Sequence, residues 1–114
     1  MTVTQVIDTI RRTLNDEGDT ERWTDAALIR YVSDAHQFLY QIRPDLFLDA
    51  NGDVSVPSNL ATLGASLTVG EAWRPFLQAY ACSRALEEDS ADTENMRRAN
   101  EFMTLAMKTA VGVG

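Results

Sequence analysis

Between Thr24 and Pro44 the chain carries the signal that most narrows what it can fold into. Leu28, Val32, Ala35, Leu39 and Ile42 recur at spacings of 4, 3, 4 and 3, the period of one helix face. Thr24 offers an oxygen-bearing N-cap, and Asp25 sets a carboxylate at the positive end of the helix dipole. Pro44 closes the element, because it has no amide hydrogen to donate and disfavours the α conformation at Arg43. Ala27, Tyr31 and Phe38 form a second apolar edge, so this helix is expected to pack on two sides. It needs other helices to cover it.

The sequence supplies them. Val3, Val6, Ile7, Ile10 and Leu14 share one helical stripe, which ends in the charged, glycine-containing turn Asn15-Asp16-Glu17-Gly18-Asp19. Pro75 is tolerable only in a first turn, so a third helix is predicted to start close to Glu71–Arg74. Its inward residues are Trp73, Phe76, Leu77, Tyr80, Ala81 and Leu86. A charged turn follows at Glu87–Asp92, in which Ser90 or Asp92 can cap the next helix. There Met96, Ala99, Met103, Ala106 and Ala110 repeat at 3, 4, 3 and 4 beside Phe102, and the small residues let two helices approach closely.

From 44 to 70 no helical period persists. Phe47-Leu48 and Val54-Ser55-Val56 flank Asn51-Gly52, the pair that favours a type I′ hairpin turn. Pro57 ends the returning strand, and Leu67-Thr68-Val69 offers a third short extended piece. A helix-free excursion this long is commonly functional, and it reads as a contact arm whose candidate interface residues are Arg43, Phe47, Leu48, Val54 and Val56. The expected fold is mainly α: a four-helix bundle with an extended arm, containing a short β-hairpin, between the second and third helices. Residues 1–110 form its single domain, and Val111-Gly112-Val113-Gly114, without charge or cap, form a flexible C-terminal tail.

Composition excludes several function classes. The chain's 114 residues, 45% of them apolar, suffice for one core. Ten basic against seventeen acidic residues give a net charge of −7, which disfavours sequence-independent binding to phosphates. One cysteine and one histidine exclude an internal disulfide and the common zinc sites, so no metal or cofactor is expected. No apolar run is long enough to span a bilayer, and the N-terminus lacks the pattern of a secretory signal. A reducing cytoplasm, or a particle assembled there, is the expected setting.

Catalytic patterns are weak. Ser33 and His36 share a helix without a glycine-tight elbow and read as packing. Cys82, followed by acids at 87–89, reads as an inert thiol. Asp49-Ala50-Asn51-Gly52-Asp53 lacks the glycine and glutamate that a calcium loop needs at its sixth and twelfth positions, where Val54 and Leu60 stand. A DNA-reading face made of Arg30, Gln37, Gln41 and Arg43 is interrupted by Asp34. Nine of the ten cations are arginines, suited to fork-like pairing with carboxylates across a protein interface.

Two blocks carry a family resemblance. The first is Arg22-Trp23-Thr24-Asp25-Ala26-Ala27-Leu28-Ile29-Arg30-Tyr31-Val32, then Asp34-Ala35 and Ile42-Arg43-Pro44-Asp45. The second runs from Trp73-Arg74-Pro75-Phe76-Leu77 through Tyr80, Arg84-Ala85 and Glu88-Asp89 to Ala99 and Phe102. The order resembles the small head–tail adaptor (head-completion or connector) proteins of tailed bacteriophages, although Cys82 and the acidic turn at 87–94 depart from it. The resemblance implies a non-enzymatic virion protein that forms a ring, typically of twelve copies, beneath the portal protein. The ring extends the channel for passing genomic DNA and gives tail or neck proteins a docking surface. It also assigns portal docking to the C-terminal segment, here Val111, Gly112, Val113 and Gly114. A small regulatory or antitoxin-like helical binding protein is the alternative.

Overall fold

The computed structural model describes residues 1–14, 23–88 and 93–112. Four helices carry the fold: α1 (Val3–Leu14), α2 (Asp25–Ile42), α3 (Arg74–Glu88) and α4 (Thr93–Gly112). Short 3-10 turns at Pro44–Leu46 and Glu71–Trp73 close α2 and lead into α3. The turns expected at 15–19 and around Ser90 and Asp92 fall largely or wholly outside the described residues.

Local chemistry accounts for these boundaries. Thr24 caps α2 by accepting a hydrogen bond from the Ala27 amide, and Asp25 follows in the first turn. Arg43 leaves the helical conformation one residue before Pro44. Pro75 falls in the first turn of α3, where its missing amide costs nothing.

α3 lies at the centre. It packs against α1, α2 and α4, whereas α4 packs substantially on α3 alone. That arrangement explains why α3 buries Phe76, Leu77, Ala79, Ala81, Cys82, Ser83, Ala85 and Leu86 around most of its circumference. Small side chains admit α4 closely, and the Ser83 hydroxyl donates to the Ala99 carbonyl in the buried contact at 2.8 Å. The four helices therefore form a three-helix core with a fourth laid along its outside, and the molecule is elongated, 46 × 28 × 19 Å. Trp23 pins the start of α2 to the end of α3, its indole N–H donating to the Ala85 carbonyl. Arg11 bridges α1 to the same corner through the Trp23 carbonyl and the Asp25 carboxylate.

The expected β-hairpin does not form as strands. Among the described residues only two isolated bridges occur, Leu48 with Val54 and Thr2 with Ser66. The turn itself is a three-residue loop rather than a two-residue one. Gly52 donates to the Asp49 carbonyl and takes φ +83°, the Asp49 amide reaches the Asp53 carbonyl, and Asp49 Oδ1 accepts from the amides of Asn51 and Asp53. A ladder has no room to grow from it. The 3-10 turn ends at Leu46 on one side, and Pro57 removes an amide on the other.

The arm is also not extended over its whole length. Leu67 and Val69 are buried, and the carbonyls of Leu63 and Ala65 accept the amides of Thr4 and Val3. The returning half of the arm thus satisfies unpaired donors at the start of α1. Val111 and Gly112 continue α4 as helix where a tail was expected, and Val113 and Gly114 lie outside the described residues.

Candidate interaction surface

Three polar side chains on one face of α2 hold the arm down. Ser33 Oγ accepts from the Leu60 amide at 3.0 Å, Gln37 Nε2 donates to the Pro57 carbonyl at 2.6 Å, and His36 Nε2 accepts from the Thr68 amide at 3.3 Å. Their i, i+3, i+4 spacing puts all three on one side of the helix. An imidazole accepting at Nε2 carries its proton on Nδ1, which is buried without a partner. Burial pushes His36 down to about 4, so the ring is neutral at physiological pH. Ser33 and His36, weighed above as a nucleophile and base, are both engaged with backbone of the arm. Burial likewise pushes the Cys82 thiol up to about 12, far from thiolate chemistry.

Phe47 belongs to this anchor and not to an outer interface. It is wholly buried, with its ring 5.0 Å from His36 and 5.5 Å from Tyr40, both edge-on. The alternation that turns Phe47 inward turns Leu48 outward. Arg43 lies at the root of the arm, forked onto Asp45 at 3.0 and 3.1 Å and set over the Trp73 ring at 5.4 Å. The hydrogen bond from Arg43 holds the Asp45 carboxyl below its ordinary range.

Every large hydrophobic side chain that stays exposed among the described residues lies in one of two places. Leu48 (51% exposed), Val54 (53%) and Val56 (66%) crown the tip of the arm. Met96, Leu105, Met107 and Val111 (80%) lie along α4. α4 buries Asn95, Ala99, Ala106 and Ala110, so the inward stripe expected above holds for its alanines while Met96 turns outward and Met103 is only half-buried. The alanines seat the helix so closely that longer side chains beside them are left at the edge of the contact.

One flank of α4 carries a shallow, open cleft between side chains of that helix alone, lined by Asn100, Met103, Thr104, Met107, Lys108 and Val111. A second cleft of about 260 Å³ continues from Met107, Ala110 and Val111 to Ile42 and Arg43. The end of α2, from which the arm springs, thus meets the end of α4. Of the residues nominated from sequence, Arg43 and Val111 share this lining, and Leu48, Val54 and Val56 stand on the arm that follows. Gly112 is helical, and Val113 and Gly114 are not among the described residues.

The methionine edge and the polar clamp were missed from sequence. A signal for the first existed: three of the chain's four methionines fall in α4, whose buried stripe needs only alanines.

Charge is arranged unevenly. Arg11, Arg30, Arg43, Arg74, Arg84 and Arg97 each pair with a carboxylate of this chain, so their forks are used within the molecule rather than across an interface. Lys108, the single lysine, makes no ion pair among the described residues. No cluster of metal-ligating side chains occurs among the described residues, and no helix there is long and apolar enough to cross a membrane. Comparison with protein-family models, curated proteins and solved structures gave no match.

Proposed function

We propose that this chain is a structural virion protein, a head–tail adaptor of the tailed-bacteriophage kind. It assembles as a ring, typically of twelve copies, beneath the portal protein, extends the DNA channel, and presents a docking surface to tail or neck proteins. It acts through what it touches and turns over no substrate. Assembly takes place in the host cytoplasm, and the finished protein resides in the neck of the particle.

The observation that carries this reading is the confinement, among the described residues, of exposed large apolar side chains to an arm tip and a single outer helix. Patches of this kind mark interaction sites on small helical domains. The sequence resemblance names the kind of assembly. Net acidity is consistent with a channel wall that lets DNA slide past, since contact with it releases few counterions. Antibody labelling of intact virions tests the proposal: label at the neck is expected. Virions without the chain at that position, or purified protein that turns over a substrate, would sink it.

A further inference from the structure

We infer that the arm tip of one copy seats in the α4 cleft of a neighbouring copy, so that the chain carries both halves of its own ring contact. This rests on the ring-forming reading and names the surfaces that close the ring.

In a single copy both surfaces stay exposed, so neither covers the other. Their chemistry is complementary. The tip offers Leu48, Val54 and Val56 with the exposed Asp53 among them. Asp53 makes no ion pair among the described residues, and the nearby Asp49 carboxylate is occupied by backbone amides. The cleft offers Met103, Met107 and Val111 with Lys108 on its lining. Methionines suit such a receptor, because an unbranched thioether adapts to an irregular apolar surface. Among the described residues, Lys108 without an ion pair thus lies in the cleft, and Asp53 without one lies on the other apolar patch. Because tip and cleft are different surfaces, the contact is heterologous, and a heterologous contact closes into rings or runs on as filaments.

Site-directed disulfides in the full chain test this. Val54 and Met107 are both exposed, so replacing them leaves the core intact, and the wholly buried Cys82 gives no background. Chains carrying Val54→Cys and chains carrying Met107→Cys are mixed and oxidised at a concentration where light scattering shows assembly. A disulfide between the two kinds of chain is expected, and a ladder of trimers and higher species when both substitutions share one chain. The same oxidation of particles built with the double variant serves a chain that assembles only at the capsid vertex. Lys108→Glu should weaken assembly at least tenfold, and Asp53→Lys in the same chain should restore it. Cross-linking of Met107→Cys chains to each other alone, or unchanged assembly of Lys108→Glu, overturns the inference. Rings that form without the 54–107 disulfide overturn this contact and leave the adaptor reading standing. A chain that forms no ring and is missing from the virion neck removes both.

Discussion

Two aromatic residues and one histidine carry much of what single side chains decide. Trp73 sits under the Arg43 guanidinium at the junction of α2 and α3, 5% exposed. Trp73→Ala should destabilise the fold by about 3–5 kcal/mol, read from urea unfolding; a loss below about 1 kcal/mol would mean the indole serves a partner instead. Trp23 fills its corner and also satisfies a carbonyl in the last turn of α3. His36 makes stability depend on pH with a definite sign. Its folded value of about 4 lies below the ordinary 6.5, so the native state resists a proton that the unfolded chain accepts. The contribution is whole above pH 6.5 and is lost as pH falls toward 4, amounting to about 2 kcal/mol by pH 5. His36→Leu should flatten that limb between pH 7 and 5 in paired denaturation curves. An unchanged slope would mean that the imidazole is hydrated.

At the scale of elements, the arm is two different things joined at its middle. Residues 60–69 are anchored by the buried Leu67 and Val69, cap the start of α1 and bond to α2, while Leu48–Val56 project. Ser33→Ala should leave the Leu60 amide without its acceptor, costing about 1 kcal/mol and speeding its hydrogen exchange relative to amides inside α3. Equal exchange at Leu60 in both proteins would show that the clamp does not depend on the hydroxyl. Gly52 is the one glycine among the described residues at positive φ. Gly52→Ala should cost about 1 kcal/mol through backbone strain alone, since open space surrounds the position. α4 is different again. It is held by alanines and by Ser83 on a single neighbour, so its apolar flanks exceed what the fold can cover.

At the scale of the whole molecule, the exposed apolar side chains Met107 and Val111 lie beside the end of α2. The end of α2, from which the arm springs, meets the end of α4 there. Removing residues 111–114 takes away a side chain that is 80% exposed and spares Ala110. The truncated protein should melt within about 2 °C of the parent while its attachment to the portal fails. Full attachment after truncation would move docking away from the C-terminal segment.

The positions of the four helices were legible along the chain, because a 3.6-residue stripe, a threonine cap and prolines at 44 and 75 act locally. Leu48, Val54 and Val56 were nominated, along with Phe47, because they lie where the helical period fails, and the structure leaves the first three exposed. Only the tertiary structure decided the rest. Phe47 is core because its ring meets His36 and Tyr40 from a helix that sequence spacing does not bring near it. α3 became the centre, and α4 the outer helix with a bare methionine edge, because periodicity marks a face and does not say how many neighbours will cover it. Ser33 and His36 read as packing and Gln37 as part of a polar face; that all three bind backbone groups of the returning arm is visible only in the fold. Local rules set where each element begins and ends; competition among faces for a limited partner surface sets which of them remain free to bind.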